Sequence, residues 1–364
     1  MKRALPLLLT YIAVVAIACF LAFVVSQSTA SAQVPAQSSK PAAAIDNVKY
    51  ASPGTYKIES SLATWRDASR QRVVPVKLYF PDITAARKDV ADTEKFPVIL
   101  FSHGLGGNRE AGKRWAEHWA SHGFVVVSMQ HTGSDEALWK DAAPRDIPDK
   151  MKAGMTISNL GSRVGDVHFV IDEIIRRSEA RETAFINADP KRIGMSGHSF
   201  GAQTTLAVTG QKAPTLGGQS GLDSRITAAI AFSPNARNKN NLTRQFGDIK
   251  LPFFSVTGSK DGSILGDGTK AEDRRLPFEN MPSGQKYLVV FDGGDHAIFG
   301  GSEFRQRRPG TSRDTSIQTG VMAGSLAFWS AYLRQDEAAR GWLNRLEQGG
   351  FKATLAAKDI FEQK

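Results

Sequence analysis

Ser199 stands between two glycines in the segment RIGMSGHSFGA, where its hydroxyl could act as a nucleophile. A nucleophilic serine can sit on a sharp turn between a strand and a helix. Glycines two positions away on either side are then needed, because side chains there would collide with neighbouring backbone. The segment occurs once in the chain, after a short apolar run and before a helix-forming run. The pattern therefore favours a nucleophile over a plain glycine-rich turn.

His296 and Asp261 are the base and the acid that we predict for this serine. A serine hydroxyl becomes a good nucleophile only when a base takes its proton. His296 lies in the loop GGDHAIFGG after the last long apolar run, and Asp261 lies in TGSKDG after the run before it. The chain order Ser, Asp, His is that of hydrolases with such a turn. Five aspartates are rival acids at less suitable positions: Asp223, Asp267, Asp273, Asp292 and Asp295.

Most of the other histidines are predicted to be structural. His198 adjoins the serine, but on a sharp turn its side chain should point away from the oxyanion. His118 and His122 have a spacing that could ligate zinc, yet the segment HWASH lacks the glutamate of the HExxH motif. Packing at a helix end is favoured for them. His103 should hold the shape of its loop, and His168 lies on a predicted helix.

Two backbone N–H groups should stabilise the oxyanion of a tetrahedral intermediate. Phe200, the residue after the nucleophile, supplies one of them. Leu105, in the segment HGLGG, supplies the other, since its glycine neighbours allow a close approach of the backbone.

The largest irregular stretch near these residues is 139–159, which is either a surface loop or part of the acyl pocket. In the second case Trp139 and Met155 are candidate lining residues. His131 follows an earlier strand and could also face the substrate.

Short apolar runs alternate with amphipathic segments along the chain, and this pattern predicts a mostly parallel sheet covered by helices on both faces. Ligands of such sheets bind at the carboxyl ends of the strands, where the predicted catalytic residues fall. Arg163 and Asp166, one turn apart, should pair locally in a structural role. The predicted strands are 73–81, 96–104, 124–130, KRIGMSG, 226–234, 251–258 and 286–294, and the predicted helices are 109–123, 166–178, FGAQTTLAV and 317–333.

The first residues of the chain have the features of an export signal. Lys2 and Arg3 precede an apolar run from residue 5 to 25, and Ala30-Ser31-Ala32 is a small-x-small cleavage signal. We predict a signal peptide at 1–32 and a periplasmic or secreted protein. The alternative is a membrane anchor at residues 5–25, because the run is long enough to span a bilayer.

The rest of the chain divides into a linker and one large domain. Residues 33–48 are small, polar and contain proline, which predicts a flexible linker. Residues 49–364 are long enough for one catalytic domain with a large core. The single cysteine, Cys19, lies in the apolar run, so the mature chain would contain no disulfide.

The chain carries a formal charge of +10 at pH 7, with basic residues that are mostly scattered. One cluster of arginines stands out, at residues 305–313. It is predicted to be a solvated loop, and the alternative is a basic rim near the site. Export argues against a nucleic-acid partner. No cofactor and no metal is expected, and the oligomeric state stays open. The cluster contains Arg305, Arg307, Arg308 and Arg313.

Together these motifs resemble the exported dienelactone-hydrolase-like and platelet-activating-factor acetylhydrolase-like branch of the α/β-hydrolase superfamily. The resemblance implies an α/β-hydrolase fold and a small-acyl or lipid ester substrate. Dienelactone hydrolases proper use a cysteine where this chain has Ser199, which argues against dienelactone chemistry. Cutinase-like polyester hydrolases are also similar at SHGFVV and at the GHS turn, but they rely on disulfides. The segments that carry the resemblance are FSHGLGGNRE, ASHGFVVVSMQHTGSD, RIGMSGHSFGA, TGSKDG and GGDHAIFGG.

The predicted function is that of an exported serine hydrolase of carboxylic esters, acting through a Ser-His-Asp triad and an acyl-enzyme on short-acyl or lipid esters. Polyester, lactone or peptide hydrolysis stays open, because acyl transfer from each uses the same site components. A non-catalytic binding module with the same fold is the alternative from another class of function.

Overall fold

The structure is a computed structural model that describes residues 49–82, 94–212, 221–263, 266, 268–301 and 310–364. The signal peptide predicted at 1–32 and the linker predicted at 33–48 lie outside the described residues. So do three members of the basic cluster, Arg305, Arg307 and Arg308. The fourth, Arg313, forms an ion pair with Asp359.

A nine-stranded sheet forms the centre of the described residues, in the order β1-β2-β4-β3-β5-β6-β7-β8-β9. Strands β3 to β8 are parallel, whereas β1, β2 and β9 pair in antiparallel fashion at the two edges. The mostly parallel sheet predicted from the sequence is confirmed, and it is that of an α/β-hydrolase. The strands are β1 (Ile58–Asp67), β2 (Arg72–Pro81), β3 (Phe96–Ser102), β4 (Val125–Met129), β5 (Ala188–His198), β6 (Ile226–Phe232), β7 (Phe253–Lys260), β8 (Lys286–Asp295) and β9 (Ile360–Gln363).

Helices cover both faces of this sheet. They are α1 (Lys113–Ser121), α2 (Ile147–Gly154), α3 (Ile157–Glu179), α4 (Phe200–Val208), α5 (Leu242–Phe246), α6 (Leu276–Asn280), α7 (Ser312–Leu333) and α8 (Glu337–Asn344).

Strand β3 shows how the apolar runs build a core on each face. Its side chains alternate, so that Ile99 and Phe101 join one hydrophobic cluster while Val98 and Leu100 join the other. On the first face, Trp119 of α1 meets Trp329 of α7 edge to face, with ring centroids 5.8 Å apart. Because both faces are buried, the central strands read as continuous apolar runs in the sequence.

Three predicted helices begin at a different residue for local reasons, and α7 does so at Ser312 rather than at 317, after its cap Thr311. Helix α1 begins at Lys113 rather than at 109, because residues 108–112 form a turn that ends at Gly112 with φ 76°. Helix α3 begins nine residues before the predicted position, where Thr156 caps it by accepting a hydrogen bond from the Asn159 N–H. Its first turns carry glycine and polar residues, which hide the apolar spacing.

His118 and His122 use their rings to hold the segment that precedes β1. The Nε2 atoms lie 3.0 Å from the Tyr50 carbonyl oxygen and 2.8 Å from that of Ser52. Burial lowers the pKa of His118 to about 4, so its ring is neutral at pH 7.

Within the described residues, no helix combines the length and apolar character needed to cross a bilayer.

Replacement of the α8 cap, Asp336→Ala, tests how firmly this helix is held. The Asp336 carboxylate accepts the N–H groups of Ala338 and Ala339, at 2.9 and 3.0 Å. We expect the free energy of unfolding in urea to fall by about 1 kcal/mol, because two backbone donors lose their acceptor. The neighbouring variant Glu337→Ala removes an exposed side chain and should change it by less than about 0.5 kcal/mol. Equal losses would contradict the assignment of the cap.

Candidate active site

Ser199 occupies a strained turn between β5 and α4. Its backbone has φ 56° and ψ −113°, a conformation that residues other than glycine rarely adopt. The turn is held by the Ser199 N–H, which donates to the carbonyl of Phe232 at 2.9 Å. A Cβ at Gly197 would lie 2.4 Å from the Gly201 oxygen, and one at Gly201 would lie 1.9 Å from the Ser102 oxygen. Both glycines are therefore required by backbone contacts, as the sequence pattern indicates.

The structure brings Ser199, His296 and Asp261 together. The His296 Nε2 lies 2.9 Å from the Ser199 Oγ, and the His296 Nδ1 lies 2.6 Å from the Asp261 Oδ1. The carboxylate accepts the Nδ1 proton, which leaves Nε2 as the acceptor of the serine proton. Asp261 is fully buried and His296 nearly so, while Ser199 is half-buried.

Two residues that sequence reasoning missed hold the acid in place. The Thr257 hydroxyl donates to the Asp261 Oδ2 at 2.8 Å. The buried Arg274 donates through Nε to the Asp261 carbonyl at 3.0 Å, and its Nη2 lies 3.3 Å from the His296 Nδ1. Both contacts depend on where the chain after β7 folds back, and no motif marks them.

Leu105 and Phe200 both line the cavity beside Ser199, where the sequence predicts two oxyanion donors. Phe200 opens α4, and the first N–H groups of a helix have no partner within it. In the loop after β3, the N–H groups of Gly106 and Gly107 donate to the carbonyls of Ser134 and Gly104. No such bond occupies the Leu105 N–H within the part of the chain that the structure describes.

The cavity beside Ser199 has a volume of about 50 Å³ and is partly open to solvent. Met155, predicted as a lining residue, lies in its wall, together with Met151 from α2. Polar groups also lie in this wall. Among them, the Gln203 side chain donates to the Asn235 carbonyl at 2.5 Å. Arg237 and Arg274 also reach the cavity.

Two residues predicted to line the pocket lie elsewhere. His131 is fully buried behind the loop after β3, where its Nδ1 bonds Asp166 and its Nε2 bonds Ser102, so the prediction that it faces the substrate is wrong. Trp139 is not in the cavity wall either. Its indole donates to the Gly106 carbonyl at 2.7 Å, so the ring packs on the loop after β3.

The remaining side chains near the site have structural contacts. The His198 Nε2 lies 2.9 Å from the His296 carbonyl oxygen, and the two imidazole rings have centroids 4.7 Å apart, which is a structural contact. Arg163 and Asp166 do not bond each other, which corrects the predicted local pair. Arg163 instead donates to the His103 carbonyl at 2.7 Å, while the Asp166 carboxylate bonds the His131 Nδ1.

Part of the chain is similar to known proteins. Residues 74–153, which include Leu105 but not Ser199, match the family model described as platelet-activating factor acetylhydrolase, isoform II. The chain resembles platelet-activating-factor acetylhydrolases. This confirms the resemblance seen in the motifs.

Three curated relatives carry the same name, platelet-activating factor acetylhydrolase. The protein of Canis lupus familiaris is 27% identical over 142 residues, covering 31% of this chain and 32% of the relative. That of Bos taurus is 26% identical over 140 residues, with the same coverage. That of Cavia porcellus is 23% identical over 165 residues, covering 39% of this chain and 35% of the relative. The chain thus spans about a third of the length of the curated relatives it matches.

Substitution of Gly201 by alanine tests the close contact at the turn. Its Cβ would overlap the Ser102 carbonyl oxygen, so the backbone must move. We expect the free energy of unfolding to fall by about 3 kcal/mol, at the upper end for overpacked sites. The matched change Gly161→Ala on α3 meets no atom within 4 Å and should raise it by up to about 1 kcal/mol. Both values come from thermal or urea unfolding, and a harmless Gly201→Ala would contradict this geometry.

Proposed function

We propose that this protein is a serine hydrolase of carboxylic esters, with Ser199, His296 and Asp261 as its catalytic residues. The observation that carries the proposal is the continuous hydrogen-bond chain from the Ser199 Oγ through His296 to Asp261. The strained turn at Ser199 and the resemblance to acetylhydrolases support it.

The reaction would proceed in two halves. The Ser199 Oγ attacks the acyl carbon as the His296 Nε2 takes its proton, and the Asp261 carboxylate stabilises the imidazolium that forms. The Leu105 and Phe200 N–H groups receive the oxyanion. His296 then gives its proton to the leaving alcohol, and the acyl group stays on Ser199. Water enters by the same route, with His296 as base, and releases the acid.

The acyl group is a short one. The cavity beside Ser199 has a volume of only about 50 Å³, room for a few water-sized groups, and Met151 and Met155 line it on the α2 side. The name of the curated relatives, platelet-activating factor acetylhydrolase, refers to hydrolysis that removes an acetyl group, and a short acyl group agrees with it. We therefore propose short-acyl esters, including acetylated lipids, as the substrate class.

We also infer that residues 1–32 direct export of the chain, with the anchor at residues 5–25 as the alternative. The support is the basic start, the apolar run and the Ala-x-Ala signal in the sequence. N-terminal sequencing of the mature protein separates the two, since cleavage leaves Gln33 as the first residue.

Ser199→Ala should abolish turnover. Loss of the nucleophile in this constellation costs about 10⁴- to 10⁶-fold in kcat, measured with p-nitrophenyl acetate. The exposed Ser60 on β1 provides the matched control, and Ser60→Ala should keep full activity.

A fluorophosphonate probe gives an independent readout on the same proteins. It should label the unaltered chain and Ser60→Ala at Ser199, and it should not label Ser199→Ala. A folded chain that is neither labelled nor active on any ester would instead indicate a binding module. Full activity of Ser199→Ala would refute the proposal.

The small cavity predicts a steep dependence on acyl length. Each methylene that does not fit costs about tenfold or more in kcat/KM, so p-nitrophenyl octanoate should be far slower than the acetate. Met155→Ala enlarges the cavity and should raise the octanoate-to-acetate ratio by about tenfold. Met322→Ala, a truncation on α7 against the opposite core, should leave the ratio unchanged. A flat acyl series would show that the acyl chain does not enter this cavity.

A further inference from the structure

A second chain of serine, histidine and aspartate lies behind the loop that carries Leu105. The Ser102 Oγ lies 2.9 Å from the His131 Nε2, and the His131 Nδ1 lies 3.0 Å from the Asp166 Oδ2. These distances resemble those of the Ser199 chain. All three side chains are fully buried, so no substrate can reach Ser102 and the arrangement does not serve hydrolysis.

The protons of this second chain have one consistent arrangement. Burial lowers the pKa of His131 to about 4, so the ring is neutral at pH 7. Burial acts to raise the pKa of Asp166, but hydrogen bonds from His131 and Arg72 outweigh it and bring that pKa to about 2. The Asp166 carboxylate therefore accepts the Nδ1 proton, and Nε2 accepts the Ser102 hydroxyl proton. The lone pairs of the Ser102 Oγ can then accept a hydrogen bond from a further donor.

That donor is Arg163, whose guanidinium is completely buried. Its Nη1 lies 3.4 Å from the Ser102 Oγ and 2.7 Å from the His103 carbonyl oxygen. Its Nε donates to the Ser134 Oγ at 2.8 Å, and its Nη2 donates to the Ser134 carbonyl at 3.3 Å. The planar fork thus joins the end of β3 to the loop that follows β4.

The same guanidinium contacts the surroundings of both oxyanion donors. On one side it bonds the carbonyls of His103 and Ser134, and the Ser134 carbonyl also accepts the Gly106 N–H at 2.9 Å. Leu105 lies between these two anchored positions. On the other side the Arg163 Cζ lies 4.3 Å from the centroid of the Phe200 ring, close enough for a cation–π contact.

We propose that Arg163 is a positioning residue that holds the Leu105 and Phe200 N–H groups in register with Ser199, and that the buried Ser102–His131–Asp166 chain fixes its guanidinium. The inference rests on the proposed function, because it assigns these N–H groups to an oxyanion. Arg163 itself does not reach the reacting atoms. Its effect should therefore be confined to interactions that strengthen in the transition state.

Arg163→Lys tests this role, since it keeps the charge and loses the planar fork. Removing one oxyanion donor costs about 10²- to 10³-fold in kcat, so displacing the donors should cost roughly tenfold to a hundredfold. KM for p-nitrophenyl acetate should change by less than about twofold. The affinity for a trifluoromethyl ketone, which adds to Ser199 and forms an oxyanion, should fall by the same factor as kcat.

Arg177→Lys is the matched control on the same helix. The Arg177 Cζ lies 4.7 Å from the centroid of the Trp65 ring, so the change again replaces an arginine above an aromatic ring, away from Ser199. It should leave kcat and the affinity for the ketone unchanged. If Arg177→Lys lowers kcat as much as Arg163→Lys does, the loss is a general effect on α3 and the inference is wrong.

Ser102→Ala keeps the test decisive if Arg163→Lys fails to fold. The change removes the hydroxyl between Arg163 and His131 and leaves the backbone carbonyl in place. We expect kcat and ketone affinity to fall by about fivefold, the equivalent of one typical hydrogen bond. A folded Ser102→Ala protein with unchanged values overturns the inference whatever Arg163→Lys does.

The two proposals fail in different ways. Turnover by Ser199→Ala would remove the proposed function itself. An inactive Ser199→Ala beside a folded Arg163→Lys protein of full activity would remove only the role of Arg163.

Discussion

The structure depends on one close approach of backbone, at the carbonyl oxygen of Ser102. This oxygen ends β3, and it leaves no room for a side chain at Gly197 or Gly201 on β5 and α4. Because the two strand ends touch there, the Ser199 turn lies beside the loop that contains Leu105. Later strands then need only to deliver His296 and Asp261 to the same edge of the sheet. The strained backbone conformation of Ser199 persists because the well-packed strands on either side stabilise it.

The fold was largely predictable because its central strands are buried on both faces. Continuous apolar runs such as 96–102 and 125–129 mark these strands in the sequence, and their alternation with helices indicates a parallel sheet. The edge strands β1 and β9 were missed. Strand β1 is mostly exposed, with Ser60, Ser61 and Leu62 in succession, so it shows neither an apolar run nor a clear alternation. Pairing with β2 defines this strand, and that contact is absent from the local sequence.

The candidate site was predictable where a residue type is tied to a position on the fold. Ser199, Asp261 and His296 each follow a strand, and glycines fix the turns around them. Arg274, Arg163 and Thr257 were not assigned to the site, because their roles come from contacts between distant parts of the chain. His131 is the opposite case, a residue that the sequence assigned to the site and that lies outside it. Its place after β4 indicates a site residue, yet its ring is fully buried between Ser102 of β3 and Asp166 of α3.

The two Ser-His-Asp chains show that side-chain distances alone do not define an active site in this fold. A search by interatomic distance alone would return Ser102–His131–Asp166 beside Ser199–His296–Asp261, since the corresponding contacts differ by no more than 0.4 Å. What separates them is access and backbone conformation. One serine lies on a strained turn that opens to a cavity, and the other lies within a strand with a buried arginine against its hydroxyl. In this fold, the same trio of side chains can form a reactive group or a fixed support.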